Sequence, residues 1–187
     1  SGSEFPAGTT TVTFAYTDPS GNGPATCSFD VTVNDMEAPV PGEDSLADII
    51  AECEVTALTA PTAADNCDGA VIVTHDAILP VTTQGSTLVT WTFTDAAGNA
   101  STQTQQVILD DVTVSVPDTA SLADITAQCE VTELSAPSAS DNCAGTVTGT
   151  HDTTLPITNQ GITVVTWTYD DGNGNTVTQT QHVVIED

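Results

Sequence analysis

The chain has 187 residues, enough for one large or two small domains, and it contains no lysine or arginine against 26 acidic residues. A formal charge of −26 excludes nucleic-acid binding through cationic contacts to phosphate and charge-driven binding to anionic lipid. Hydrophobic residues make up 39% of the chain and aromatic residues 4%, which predicts small cores, and no apolar run is long enough for membrane insertion.

Residues 1–5 (SGSEF) are predicted to be a cloning remnant, and residues 6–35 to be the second half of a longer unit. In "TVTFAYTDPSGN", Val12, Phe14 and Tyr16 alternate with small residues, which predicts a strand before a hairpin turn. The strand after the turn carries Cys27, for which we expect a partner upstream. Because an isolated hairpin is marginal in water, this half-unit should dock on a neighbouring domain, pair with another chain or be disordered.

Residues 36–111 and 112–187 are two copies of one 76-residue unit, repeat 1 and repeat 2, without insertion or deletion. "VTWTFTDAAGN" in repeat 1 returns as "VTWTYDDGNGN" in repeat 2. The period-two alternation predicts strands, and the one short helix-like run, "SLADIIAEC", is interpreted as a strand or an isolated turn. Glycine and asparagine in the turns are expected to adopt positive φ. The residues predicted to face the core are Trp91, Phe93, Trp167 and Tyr169.

This pattern predicts an all-β fold of tandem immunoglobulin-like β-sandwich domains in a head-to-tail array. Each repeat carries two cysteines in the same spacing, Cys53 with Cys67 and Cys129 with Cys143. Zinc needs about four ligands, commonly in closely spaced pairs, and a reactive thiol needs an electropositive setting that this chain lacks. We therefore predict a disulfide inside each repeat, stabilising by about 3 kcal/mol and indicating an oxidising, extracellular compartment.

The segment "GTTTVTFAYTDPSGNGPATCSFDVTVND" resembles the end of a HYR (hyalin repeat) domain, a family with an immunoglobulin-like sandwich. With "APTAADNC" and "APSASDNC", the two repeats resemble the SprB-type repeats of Bacteroidetes gliding and cell-surface adhesins. The resemblance implies an extracellular, non-enzymatic module on a bacterial cell surface. Its expected partners are adjacent repeats, other copies in a filament and surface polysaccharide. The repeats lack the family's "C-x-F" cysteine, which leaves room for a disulfide pairing different from that of the half-unit.

The seams between units are rich in acids. The first seam, "VNDMEAP", joins the half-unit to repeat 1 and contains Asn34, Asp35 and Glu37. The second seam, "LDDVTVSVP", joins repeat 1 to repeat 2 and contains Asp110 and Asp111. The first is similar to the "NDNAP" linker of cadherins, whose carboxylates bind Ca²⁺, so we predict Ca²⁺ as a cofactor at the seams; ordinary Asx turns are the alternative. Further contributors would come from the hairpin turns: Asp95, Asn99, Asp170, Asp171, Asn173 and Asn175.

No arrangement of residues predicts catalysis. His75 and His151 each precede an aspartate, but no serine stands in a strand–turn–helix elbow beside them. An EF-hand alignment from Asp171 fails, because its sixth position is Thr176 and its twelfth is His182. The predicted function is a stalk or adhesion module. The alternatives are a carbohydrate- or protein-binding immunoglobulin-like module and a spacer in a giant extracellular enzyme.

Overall fold

The structure is a computed structural model that describes residues 4–67 and 69–186, so residues 1–3 of the predicted remnant lie outside it. The chain forms two compact units. Unit 1 comprises Ser1–Asp48, Leu58–Ile78 and Leu88–Gln106, and unit 2 comprises Ile49–Ala57, Leu79–Thr87 and Val107–Asp187. The second seam, together with the residues of both repeats that surround it, therefore lies inside unit 2.

The described chain is built of strands and turns, which confirms the all-β prediction. No helix in this part of the chain has the length and apolar character needed to cross a membrane. The strands up to the end of repeat 1 are β1 (Gly8–Tyr16), β2 (Ala25–Val33), β3 (Val40–Pro41), β4 (Ile49–Ala51), β5 (Ala63–Ala64), β6 (Ile72–His75), β7 (Gly85–Thr94) and β8 (Ala100–Leu109). Those of repeat 2 are β9 (Val116–Pro117), β10 (Ile125–Ala127), β11 (Ser138–Asp141), β12 (Gly145–Thr148), β13 (Thr150–His151), β14 (Gly161–Asp170) and β15 (Thr176–Ile185).

In unit 1, the half-unit is a two-stranded antiparallel hairpin of β1 and β2, with Gly8 opposite Val33. Its aromatic side chains are exposed, Phe14 to 57% and Tyr16 to 67%, and Phe14 stacks on Phe29 across the strands. The matching residues of repeat 1, Trp91 and Phe93, are 1% and 0% exposed. The half-unit thus retains the predicted strands but leaves its aromatic side chains uncovered.

Trp91 and Phe93 are buried on β7, which pairs antiparallel with β6. A buried indole N–H needs an acceptor. The Trp91 Nε1 donates to Gln105 Oε1 at 3.0 Å, and Gln105 Nε2 donates to the backbone oxygen of Ala47 at 2.8 Å. Gln105 of "STQTQQ" therefore connects the buried Trp91 to the "SLADI" segment.

Repeat 2, within unit 2, is a sandwich of two sheets. One sheet has the order β10–β15–β14–β13 and the other β12–β11–β9. The core between them contains Trp167, Tyr169 and Val183 from the first sheet and Ala139 and Val147 from the second. The "SLADI" segment supplies β10, which pairs parallel with β15. The sandwich is thus not purely antiparallel, because the chain from β10 to β15 crosses through the other sheet and returns.

The hairpin turns use positive φ only at glycine among the described residues, for example Gly98 at 94° and Gly172 at 84°. The expectation that asparagine shares this role is wrong. Asn99 and Asn175 instead use their side chains and backbone N–H groups to bond the aspartate that opens each turn.

Comparison of the repeats predicts a stabilising substitution. The Tyr169 hydroxyl donates to Gln179 Oε1 at 2.8 Å, whereas Gln103 Oε1, at the equivalent position of repeat 1, is buried without a hydrogen-bond partner, and Phe93 stands where repeat 2 has Tyr169. Phe93→Tyr should supply the missing donor and raise the free energy of unfolding by about 1 kcal/mol. Tyr169→Phe should lower it by about 1–2 kcal/mol. Urea unfolding followed by circular dichroism measures both, and a loss of stability on Phe93→Tyr would contradict this reading.

Candidate functional site

Three carboxylates meet at the second seam, inside unit 2. Asp111 follows β8, Asp141 ends β11, and Asp171 opens the turn after β14. One oxygen from each carboxylate lies within 4.8 Å of the others. Asp111 is only 4% exposed and Asp171 only 9%. The fold therefore concentrates negative charge at a site with little solvent, in a chain with no cationic lysine or arginine.

The turn sequence "DGNGN" fixes Asp171 from within. Its Oδ1 accepts from the backbone N–H groups of Asn173 at 2.8 Å and Asn175 at 3.1 Å, and its Oδ2 accepts from Asn175 Nδ2 at 2.7 Å. Burial by itself would raise the pKa of Asp171, but these hydrogen bonds to the charged form outweigh it and hold the pKa below its ordinary value. Asp171 is therefore anionic at neutral pH.

The same turn is fastened to the seam. Asn173 Nδ2 donates to Asp111 Oδ2 at 2.8 Å, and Asn175 Nδ2 donates to the Asp111 backbone oxygen at 2.9 Å. Asp141 is held by its own loop, since its Oδ1 accepts from the N–H groups of Cys143 and Ala144. Each carboxylate thus has a fixed position, set by a local motif that the repeat carries.

Unit 1 holds a related arrangement at the first seam. Asp35, Asp65 and Asp95 are each 76 residues before Asp111, Asp141 and Asp171. Asp35 and Asp65 lie in one cluster with the Cys67 sulfur. Repeat 1 has Ala97 where repeat 2 has Asn173, and Asp35 Oδ2 is buried without a hydrogen-bond partner. The first seam therefore presents a carboxylate oxygen that the protein does not satisfy.

The other predicted seam residues lie at the margins of these clusters. Asn34 is exposed and lines an open cleft, and Asp110 is exposed with its N–H bonded to the Ala51 oxygen. Glu37 donates its N–H to Asp35 Oδ1 and accepts from Asn66 Nδ2. Sequence reasoning missed Asp65 and Asp141. The available signal was the "DNC" motif, which places an aspartate at the same position of both repeats.

Cys53 forms its disulfide with Cys143 of the next repeat, 90 residues away, with the two Cα atoms 4.9 Å apart. The prediction of disulfides inside each repeat, Cys53–Cys67 and Cys129–Cys143, is therefore wrong. Because both repeats carry cysteines at the same two positions, the sequence offers Cys53 either Cys67 of its own repeat or Cys143 of the next as a partner. The fold brings the loop after β4 against the "DNC" loop of repeat 2. Cys27 and Cys129 are exposed thiols.

The disulfide lies among seam hydrogen bonds. Glu52 Oε2 accepts from Thr113 Oγ1 at 2.8 Å and from Asn142 Nδ2 at 2.6 Å, beside the two cysteines. Glu52, Asp111 and Cys143 also converge. The Cys143 sulfur is consumed by the disulfide, so the ligand atoms left around this seam are oxygens.

The "THD" motifs have a structural role. The His75 ring contacts Trp91 edge-on at 5.1 Å, and Asp76 Oδ1 accepts from the Thr90 N–H at 2.8 Å. That hydrogen bond is the largest reason why the pKa of Asp76 lies below its ordinary value. The same ring contact recurs between His151 and Trp167.

A pH dependence follows from these carboxylates. Hydrogen bonds hold several pKa values below the ordinary 3.8, those of Asp18, Asp76, Asp95, Asp118, Asp152 and Asp171. A lowered pKa contributes stability that is fully present above pH 3.8 and is lost as the pH falls through the folded-state pKa. We expect the thermal midpoint to fall steeply below about pH 3.8. Circular-dichroism melts at about pH 5 and about pH 2.5 check this, and an equal or higher midpoint in acid would contradict it.

Two related family models match different parts of the chain. A family model described as "HYR domain" matches residues 1–33, and one described as "HYR-like domain with 4 cysteines" matches residues 38–108. Hyalin of Strongylocentrotus purpuratus is 30% identical over 196 residues, covering 93% of this chain and 16% of that protein. Hyalin of Lytechinus variegatus is 29% identical over 197 residues, covering 93% of this chain and 35% of that protein.

Among solved structures, the human Desmocollin-1 ectodomain matches 94% of this chain and 48% of its own, with a TM-score of 0.35 and 12% identity. The Protocadherin GammaB4 extracellular domain matches 95% of this chain and 37% of its own, with a TM-score of 0.36 and 13% identity. The family matches and the hyalins agree with the motifs, and residues 1–33 and 38–108 are therefore HYR-type domain sequence.

Proposed function

We propose that the chain is a structural segment of an extracellular adhesin or filament, in which successive HYR-type repeats are covalently coupled to bear tension. The observation that carries the proposal is the disulfide between Cys53 of repeat 1 and Cys143 of repeat 2. A disulfide persists in oxidising, extracellular compartments. Among the residues that the structure describes, no serine stands in a nucleophile elbow, and His75 and His151 pack against core tryptophans. The function that we propose is therefore adhesive and mechanical, without a catalytic role.

The position of this cross-link explains how it would act under load. Tension applied at the two ends of the chain passes from Cys53 to Cys143 through the sulfur atoms. The backbone between them, which includes the β7–β8 hairpin with Trp91, then carries no tension while the bond is intact. The hydrophobic core of repeat 1 therefore has one of its main hairpins shielded from extension.

Single-molecule pulling from both termini tests this function. The oxidised chain should release a contour length shorter than that of the reduced chain by about 300 Å, because 90 cross-linked residues span about 3.3–3.6 Å each when extended. Cys53→Ser should behave like the reduced chain, and Cys129→Ser, which changes an exposed thiol, should behave like the oxidised parent. Equal lengths for the oxidised and reduced chains would refute the proposal.

We propose, as a finer part of this function, that Ca²⁺ stabilises the seams. Calcium prefers six to eight oxygen ligands at about 2.3–2.6 Å, so two ligands of one ion lie at most about 5 Å apart. The oxygens of Asp111, Asp141 and Asp171 satisfy that limit, and the donor set contains no available sulfur. At the first seam the buried, unsatisfied Asp35 Oδ2 favours a cation in the same way. Asp111, Asp141 and Asp171 would hold the ion, and its charge would offset their mutual repulsion.

Thermal unfolding of the oxidised chain with excess Ca²⁺ and with EDTA tests the calcium proposal. Saturation at about 100 times the dissociation constant should stabilise by about 2.7 kcal/mol. Asp111→Asn should reduce the difference between the two conditions, whereas the matched control Asp110→Asn, at an exposed position outside the cluster, should retain it. An identical midpoint in Ca²⁺ and EDTA for the parent chain would remove calcium and leave the mechanical function intact.

The proposal extends to a bacterial cell surface and to gliding-type adhesins, on the resemblance of "APTAADNC" and "APSASDNC" to SprB-type repeats. Surface polysaccharide and other copies in a filament are its proposed partners. Trypsin cannot cut a chain without lysine or arginine. Shaving intact producing cells with a glutamate-specific protease should therefore release peptides of this chain, and their recovery only after cell lysis would contradict surface display.

A further inference from the structure

We propose that Cys129 is the covalent docking point for one further copy of the same repeat, joined to that copy's counterpart of Cys143. The inference rests on the proposed function and names the partner of the exposed end of repeat 2. Cys129 stands 76 residues after Cys53, and Cys53 is already bonded to the following repeat. The bond between Cys53 and Cys143 therefore shows how Cys129 would pair at the next junction between repeats.

The backbone presents the two cysteines in the same way. Cys53 follows β4, which pairs parallel with β8 from Ile49 opposite Val107. Cys129 follows β10, which pairs parallel with β15 from Ile125 opposite Val183, 76 residues later in both partners. The bridge between Val55 and Val81 likewise recurs between Val131 and Ile157. The loop that carries Cys129 is therefore formed before any partner is present.

The surface around the two cysteines also recurs. Within unit 2, Cys53 and its neighbours from repeat 1 line a cleft of about 490 Å³ together with Asn142 and Cys143 of repeat 2. The residues that repeat 1 contributes are Cys53, Glu54, Thr82 and Gln84. Their counterparts have identical residue types, Cys129, Glu130, Thr158 and Gln160. The repeat 2 end therefore offers the same groups for an incoming "DNC" loop.

Burial distinguishes the occupied end from the open one. Cys53 and Gln84 are partly buried at the junction, whereas Cys129 and Gln160 are exposed. Glu52, which accepts from Asn142, is replaced by Gln128, whose amide oxygen can accept the same bond. The exposed face is thus a copy of a face that repeat 2 itself covers, and its fitting occupant is another repeat of the same kind.

The coupling is an ordinary two-electron oxidation. The two thiols lose two protons and two electrons to form one S–S bond, with a small-molecule disulfide such as oxidised glutathione as oxidant. The Cys129 thiolate attacks that disulfide, forms a mixed disulfide and releases one reduced glutathione. The incoming cysteine thiolate then attacks the Cys129 sulfur and releases the second glutathione.

The test uses the full chain extended after residue 187 by one further copy of residues 112–187, refolded in a glutathione redox buffer. Cleavage with a glutamate-specific protease and mass spectrometry should find Cys129 joined to the added copy's counterpart of Cys143. Maleimide should label Cys129 in the parent chain and not in the extended one. Cys129→Ser in the extended chain should leave the added copy's counterpart of Cys143 reactive to maleimide.

The outcomes separate this inference from the proposed function. A maleimide-reactive Cys129 in the extended chain, or its pairing with any other cysteine, would overturn the inference, and an intact Cys53–Cys143 bond there would leave the proposed function standing. Loss of the Cys53–Cys143 bond in the parent chain itself would overturn both.

Discussion

Replacing Cys53 by serine is expected to lower the free energy of unfolding of the oxidised chain by roughly 4 kcal/mol. The Cys53–Cys143 bond closes a loop of 90 residues, and in the chain-entropy model a cross-link of that span removes about 4.5 kcal/mol of conformational freedom from the unfolded state. Urea unfolding of oxidised parent and variant, followed by circular dichroism, measures the difference.

Two further variants make this result specific. Cys143→Ser should cost as much as Cys53→Ser, and the double variant should cost no more than either single one, because each removes the same bond. Cys129→Ser is the matched control, since it removes an exposed thiol at the equivalent position of repeat 2 and should leave stability within about 0.5 kcal/mol. Additive losses in the double variant would show that the serines act through their own packing and not through the disulfide.

The strands that could be predicted from sequence are those whose signal is local. Alternation along "VTWTFT" and "VTWTYD" predicts β7 and β14, with Trp91 and Trp167 on the inward face, and the structure buries both side chains. A glycine turn between two alternating runs leaves the hairpin as the simplest connection. The parallel pairing of β10 with β15 carries no such local signal, since it depends on how the chain returns through the second sheet.

The seam shows the same division between local and long-range information. Asp111 could be predicted because it stands in an acidic linker, and Asp171 because it opens a turn. Asp141 precedes Cys143, and for this loop the sequence predicts only a disulfide within repeat 2. Once Cys143 is bonded to Cys53, Asp141 lies beside Asp111 and Asp171. The incorrect pairing of Cys143 therefore accounts for two errors in the predicted site: the wrong partner of Cys53 and the omission of Asp141.

Trp167→Ala is expected to lower the free energy of unfolding of repeat 2 by about 3–5 kcal/mol. Trp167 is 1% exposed at the centre of the sandwich, and its removal leaves a cavity between the two sheets. It also removes the indole donor that Gln181 Oε1 accepts at 3.0 Å and the ring that His151 contacts. Circular dichroism in urea measures the loss, and fluorescence of Trp91, the one tryptophan left in the variant, reports on repeat 1.

Val164→Ala on the same strand is the control for Trp167→Ala. Val164 is 51% exposed, so its truncation leaves no buried cavity and should change the free energy of unfolding by less than about 0.5 kcal/mol. The Trp91 transition should move less than the circular-dichroism transition, because the cavity lies in the core of repeat 2. If both signals shifted equally, the two repeats would unfold as one cooperative unit, and the disulfide at their seam would be the first connection to remove in order to separate them.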